Sequence, residues 1–332
     1  MPDPSLWVLI AIIILALGFG IVNGFNDAAN AIATVIGTRT LSPRNAIIMA
    51  AFFNLAGAAT GTAVAKTIGK GILTPEAISY QTVVAALAAV IVWTTFATYR
   101  GLPVSLTHGF VAAMAAAGIA AAGTGAVAWG VLGKVASAVV TAPVVGFIGG
   151  FAFMVLLLWV FRASIPAKVR NIFGNLQIAS SAFMAYSHGK NDGQMPIGII
   201  TMAFVFYTGE AALWDSIPWW VILISALSIS MGTAIGGWRV IKTLGMRVTT
   251  LRPVHGFAAE ASAASVIEVA SHLGIPVSTT HCISSAVMGV GSTRRLSAVR
   301  WGLAGSIITA WVITFPVCGG LGYLFSWLLG LF

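Results

Sequence analysis

Charge is what this sequence lacks. Only 8% of its 332 residues are Asp, Glu, Lys or Arg, where an ordinary globular chain carries roughly 25%. So few charges cannot cover a water-facing surface, which excludes a cytosolic enzyme, a secreted domain and a disordered region. Acid is scarcest, with eight Asp and Glu against 17 Lys and Arg. Cysteine is nearly absent. Cys282 and Cys318 form no disulfide framework and have no metal-ligand spacing, and their apolar surroundings make them packing residues. Long polar stretches are missing too: the most polar connections, 67–80 and 208–218, are too short for a soluble domain.

What is present is apolar: 58% of residues are hydrophobic and the mean hydropathy is +0.97. The chain reads as an all-α polytopic membrane protein. Clear spanning candidates are 6–22, 45–65, 82–98, 143–161, 219–237 and 305–332. Shorter or interrupted ones are 28–37, 110–122, 126–140, 197–207, 256–273 and 282–290. At roughly 25 to 30 residues per crossing and loop, a wholly helical chain makes about 10–12 transmembrane segments. The run 6–22 has no basic leader and no small-residue cleavage site, so it reads as a retained helix. The basic residues, such as Arg162, Lys168, Arg170, Arg247, Arg252 and Arg300, sit at the ends of apolar runs. That placement marks membrane topology and argues against a nucleic-acid partner.

The chain repeats itself. Gly101-Leu-Pro-Val-Ser-Leu-Thr-His108 recurs as Gly274-Ile-Pro-Val-Ser-Thr-Thr-His281, an offset of 173 that also aligns Pro143 with Pro316. Gly24-Phe-Asn26-Asp27 recurs as Gly189-Lys-Asn191-Asp192, an offset of 165. Two related halves follow, 1–165 and 166–332. Paired Gly- and Pro-interrupted hydrophobic segments in matching places point to a transporter's midplane site. Loop charges alone leave open whether the halves are parallel or inverted.

Asp3, Glu76, Glu210 and Asp215 fall near the N-terminus or in connecting loops, whereas Asp27, Asp192, Glu260 and Glu268 lie in or against apolar segments. A carboxylate there costs about 3 kcal/mol even on lenient scales and marks a functional position. Asn23, Asp27 and Asn30, four and three residues apart, share one helix face. Asn26 sits beside them, and Gly24 is predicted to permit a break. A carboxylate among amide oxygens suits a hard cation, sodium or divalent. Asn191, Asp192 and Gln194 repeat this chemistry, with Lys190 adjacent and able either to pair with Asp192 or to help hold an anion. His188, nearby, reads as a structural histidine or a proton site.

Pro103 and Pro276 force an extended residue before a fresh helix start, and the Ser and Thr residues that follow are natural N-caps. Unpaired N–H groups and the positive end of the helix dipole make such a start an anion site without Lys or Arg. Ser105, Thr107, Ser278, Thr279 and Thr280 add hydroxyl donors. His108 and His281 read as residues that lock the turn; with no metal-spaced partner, no zinc site is expected. An oxyanion near Asp27 and Asp192 requires cations or protons at the carboxylates, which is symport. An intramembrane hydrolase using Asp and His and an uncoupled anion channel are the competing classes.

These motifs resemble those of the inorganic phosphate transporter (PiT) family in its compact prokaryotic form, over nearly the whole chain. The resemblance implies an inverted-repeat transporter of the prokaryotic cytoplasmic membrane, a homodimer in the lipid bilayer with no enzymatic activity and no cofactor beyond a coupling ion, sodium or proton. By the same resemblance, Asn26, Ser105, Thr107, Asn191, Ser278, Thr279 and Thr280 bind phosphate, and Asn23, Asp27, Asn30, Asp192 and Gln194 serve the cation. Glu260, in His255-Gly-Phe-Ala-Ala-Glu260, joins the second set. Lys66 stands where some eukaryotic members have a glutamate. Both Asn-Asp motifs, which a sulfate-carrying branch lacks, are present, and this favours phosphate; transport of another oxyanion such as sulfate or arsenate is the alternative. Whether the ion is a proton, sodium or a metal that enters with phosphate is left open.

Overall fold

A computed structural model describes residues 6–331; Asp3 lies outside the described residues. The first half is built from α1 (Leu6–Gly37), α2 (Pro43–Ala58), α3 (Ala63–Lys70), α4 (Tyr80–Arg100), α5 (Leu106–Ala122) and α6 (Trp129–Val160). The second comprises α7 (Pro166–Asp192), α8 (Gln194–Thr208), α9 (Trp219–Ile235), α10 (Trp238–Lys242), α11 (Pro253–His272), α12 (Thr279–Ser292) and α13 (Trp301–Leu329). A π-helical turn, Thr243–Arg247, prolongs α10. The elements correspond in order: α1 with α7 and α8, the bent pair α2/α3 with α9/α10, α4 with α11, α5 with α12, and α6 with α13. Packing crosses between halves, since α1 lies on α9 as α7 lies on α2, and α5 lies on α13 as α12 lies on α6.

Two local expectations change. Gly24 does not break α1, which runs on as a single helix of 32 residues. The glycine instead serves a close crossing: a Cβ there would lie 2.0 Å from the Ile229 carbonyl oxygen on α9. Gly189, its repeat equivalent, faces the Asn54 carbonyl oxygen on α2 at 2.1 Å by the same measure. Without side chains, the paired backbones approach closely. The second half breaks after Asp192, where Gly193 separates α7 from α8.

Among the described residues four helices, α1, α4, α6 and α13, are long and apolar enough to cross a membrane, and up to six spans result if each bent pair, α2/α3 at 71° and α9 with Trp238–Arg247 at 62°, counts as one. The expected ten to twelve treated each apolar segment as a separate crossing. In fact 6–22 joins 28–37 in α1, and 126–140 joins 143–161 in α6. Helices α5 and α12 are short because they are buried in protein, where the backbone need not traverse lipid.

Among the described residues the apolar core falls into two large clusters and a small one of Ala97, Val104 and Ala310. Leu9, Ile12, Ala16 and Phe19 of α1 belong to one, and its residues from Ala28 onward to the other. Asn23, Asn26 and Asp27 lie on α1 between them, fully or almost fully buried. One end of the molecule gathers Thr38, Arg39 and Thr40 with Arg170 and Pro253, and nearby the Arg300 N–H donates to the Val248 carbonyl oxygen at 3.0 Å. At the opposite end Leu73 pairs with Val127 and Trp214 lies against Gly69.

Candidate substrate and ion site

Two equivalent hairpins build the centre. Helix α4 stops at Gly101, whose φ of +73° suits glycine; the chain extends through Pro103, and α5 begins with Ser105 as its N-cap, Oγ accepting from the His108 N–H at 3.2 Å. The second hairpin repeats each step, with Gly274 at φ +66° and Ser278 Oγ accepting from the His281 N–H at 3.1 Å. The two meet inside the protein, the His108 and His281 rings 4.8 Å apart between centroids. Ser105 and Ser278 thus cap their own helices.

Asn26 and Asn191 tie these hairpins to the helices that carry the carboxylates. Asn26 Nδ2 donates to Thr98 Oγ1 at 2.6 Å and reaches the Leu102 carbonyl oxygen at 3.5 Å. The Asn191 amide bonds Ser271 Oγ at 2.9 Å, and Ser271 is the residue equivalent to Thr98. These contacts hold the entry to each helix start in place.

The carboxylates are bonded across the repeat. Thr280, from the second hairpin, donates to Asp27 Oδ1 at 2.9 Å, while Thr107, from the first, donates to Asp192 Oδ1 at 3.2 Å. Thr279 adds a bond to Asp192 Oδ2 at 2.8 Å. Asn30 Nδ2 donates to the Thr279 and Thr280 hydroxyls at 3.1 and 2.9 Å. Both aspartates are almost wholly buried, at 2% and 1% exposure.

Between them stands His188, a residue for which sequence patterns suggested no ligand role. Its Nε2 lies 3.3 Å from Asp192 Oδ2 and 3.9 Å from Asp27 Oδ2. Its Nδ1 lies 2.8 Å from Asn54 Oδ1, and Asn54 Nδ2 donates to Thr233 Oγ1 at 2.8 Å. Because the Thr233 hydroxyl donates onward to the Ile229 carbonyl oxygen, the Asn54 oxygen faces the ring and Nδ1 carries the proton. Nε2 is left to face the carboxylates. One potential ligand atom from each of Asp27, His188 and Asp192 falls within 4.8 Å of the others, close enough to hold a cation. The signal in sequence was the offset of 165, which makes His188 the counterpart of Asn23.

Around this triangle lie buried amide atoms with no hydrogen-bond partner: both of Asn23, and Oδ1 of Asn26 and Asn30. Such orphaned groups are rare in folded proteins, and each needs an explanation.

Other candidates lie elsewhere. Gln194 Oε1 accepts from the Val64 and Ala65 N–H groups at 2.9 and 3.2 Å, which makes it the cap of α3 and not a neighbour of the carboxylates. Lys190 takes neither role open to it in sequence terms: it pairs with Glu268, with His272 Nε2 at 3.2 Å. Glu260 is fully buried and accepts from the Thr34 and Ser180 hydroxyls. Thr34 lies two turns beyond Asp27 on α1, so Glu260 forms a separate polar centre about 10 Å along that helix.

A buried carboxylate pair flanked by amide oxygens and two helix starts, inside an apolar helical bundle, defines an ion-handling transporter of the membrane. A sequence profile described as the phosphate transporter family matches residues 23–166 and again 160–322. A Bacillus subtilis (strain 168) protein named "Probable low-affinity inorganic phosphate transporter" is 41% identical over 331 residues, covering 99% of each chain. A protein of the same name from Rhizobium meliloti (strain 1021) is 41% identical over 310 residues, 93% of this chain and 92% of its own. A solved structure, "The sodium-dependent phosphate transporter", superposes with a TM-score of 0.87 at 28% identity, covering 98% of this chain and 100% of that one. The chain belongs to the phosphate transporter family: it is a phosphate transporter and multi-pass protein of the cytoplasmic membrane, not an enzyme.

Proposed function

We propose that the protein is a secondary symporter that moves inorganic phosphate with sodium by alternating access between its halves, 1–165 and 166–332. The observation that carries this reading is the set of unpaired amide oxygens of Asn23, Asn26 and Asn30 around the buried carboxylates. A hard cation takes oxygen ligands of this kind. The similar solved structure is of a phosphate transporter named as sodium-dependent, which supports sodium in particular.

Phosphate sits at the starts of α5 and α12, where the first backbone N–H groups have no intrahelical acceptor. At about 5 Å from each carboxylate, with an effective dielectric of 20, a phosphate charge is repelled by roughly 3 kcal/mol per pair. A cation between Asp27 and Asp192 offsets that repulsion. It binds the carboxylate oxygens that Thr107, Thr279 and Thr280 hold in position. With that repulsion offset, the two ligands bind better together than singly, which is coupling. Glu260 serves the cation on its way along α1.

The repeats are inverted in this reading. Helix α1 finishes at the basic end of the molecule, where α7 begins; α6 finishes there and α13 begins there. An excess of Arg and Lys marks that end as cytoplasmic. The protein assembles as a homodimer, which cross-linking in membranes tests.

The deciding experiment is uptake of labelled phosphate into proteoliposomes under a sodium gradient alone, a proton gradient alone, or neither, with sulfate and arsenate as competitors. Uptake against the phosphate gradient under sodium alone is the expected result. Equal, non-concentrative flux under every condition overturns symport in favour of a channel. A second reading, proton coupling, draws on the position of His188 Nε2 between the carboxylates, and uptake under a proton gradient alone would select it.

A further inference from the structure

We propose that the cavity between the ends of α6, α7 and α11 binds the headgroup and one acyl chain of an acidic phospholipid. The cavity measures about 610 Å³. Three arginines line it, Arg162 after α6, Arg170 on α7 and Arg252 before α11. All three are exposed, and among the described residues no carboxylate lies within 4.0 Å of any of their guanidinium groups. Arg162 is held over the Trp159 ring at 5.2 Å, which orients its guanidinium in advance of a ligand. Apart from Ser164 and His255 the rest of the lining is apolar, chiefly Met154, Leu157 and Leu158.

The two halves of the cavity ask for two different things of one ligand. Three unpaired guanidiniums match a phosphodiester, since arginine binds phosphate oxygens through paired N–H donors. The apolar wall matches a hydrocarbon chain. Free phosphate answers only the first demand and would leave the wall facing water. A second copy of this chain answers neither, because an isologous contact through this patch sets arginine against arginine. The flanking face of α6 is open to the bilayer, with Leu156, Leu158 and Val160 exposed, so a chain can enter sideways from lipid. Basic pockets between membrane helices are a recurring site for acidic headgroups.

The location gives the lipid a consequence. Phe161 and Ser164, which belong to the turn joining the two halves, line the same cavity. Arg170 also lines the polar recess formed with Thr38, Arg39 and Asn171. A bound lipid therefore links the turn between the halves to the mouth of that recess.

The test is native mass spectrometry of the purified full-length protein in detergent, titrated with phosphatidylglycerol and, separately, phosphatidylcholine. Phosphatidylglycerol should bind in preference, and R162Q/R252Q should weaken it roughly 30-fold, the weight of two surface arginines near an acidic headgroup. Leu158→Trp, which fills the apolar wall and keeps every arginine, should also weaken it, with unchanged thermal melting for all variants showing that the fold persists. Excess inorganic phosphate should leave the bound lipid in place. Equal binding of the two lipids, indifference to R162Q/R252Q, or displacement by inorganic phosphate would each overturn the proposal, the last assigning the arginines to free anion.

Discussion

Thr280 and Thr107 occupy equivalent places in the repeat, yet their loss should differ in effect. Thr280→Val keeps the volume and removes the hydroxyl. Among the described residues Asp27 then loses the one hydroxyl bonded to it, at 2.9 Å, and Asn30 Nδ2 keeps only Thr279 as partner. A hydrogen bond to a charged group contributes about 1.5 to 3 kcal/mol. With the weakened Asn30 contact added, a loss of about 2 to 3 kcal/mol corresponds to roughly a 30- to 150-fold rise in the sodium concentration needed for half-maximal phosphate uptake. Thr107→Val removes a longer bond, 3.2 Å, from Asp192, which keeps Thr279 at 2.8 Å. Its effect should stay near tenfold, at about 1.5 kcal/mol. The assay is uptake into proteoliposomes as sodium is varied, with Thr280→Ser retaining near-normal dependence. If Thr107→Val proved as damaging as Thr280→Val, or Thr280→Ser behaved like the valine variant, the crossed threonine bonds would not be what holds the carboxylates.

Asp27→Asn and Asp192→Asn should each abolish cation-driven uptake while elution and melting in detergent stay normal; near-normal uptake in both would remove the carboxylates from the coupling site. Gly24→Ala places a Cβ 2.0 Å from the Ile229 carbonyl oxygen, so α1 and α9 must part by more than 1 Å. A loss of about 3 kcal/mol in stability is expected by thermal unfolding, whereas Gly130→Ala, with nothing within 4 Å, should be neutral or slightly stabilising. Gln194→Ala should cost about 1 kcal/mol through the α3 cap and leave the sodium dependence of uptake unmoved; a shifted sodium dependence would return Gln194 to the ion site. Asn26→Ala and Thr98→Ala should each slow transport, and the double variant should add little, because both break the same 2.6 Å bond.

Much of the centre was legible in the residues. The doubled Pro-Val-Ser hairpins form as their residues dictate, with each Ser capping its helix, because proline geometry and N-cap chemistry are local. Asp27 and Asp192 stand out in an acid-poor chain since burial of charge in an apolar segment is costly wherever it occurs. Gln194 misled because composition cannot report direction: it follows Asp192 by two residues and so points away from it, toward α3. Gly24 misled because the same residue serves a helix break and a helix crossing, and only the partner helix distinguishes them.

Sequence alone determined the membrane setting, the division into two related halves, the hairpins and the pair of buried aspartates, all consequences of hydropathy, repeat spacing and short-range backbone preference. Tertiary structure decided which groups meet. It crossed Thr107 onto Asp192 and Thr280 onto Asp27, set His188 between the carboxylates, and drew Lys190 away to Glu268. Those contacts join residues from 78 to 253 positions apart, apart from the turn of α7 that links His188 to Asp192. They depend on how closely the glycine-lined helices of one half approach those of the other, a distance that no local pattern of residues encodes.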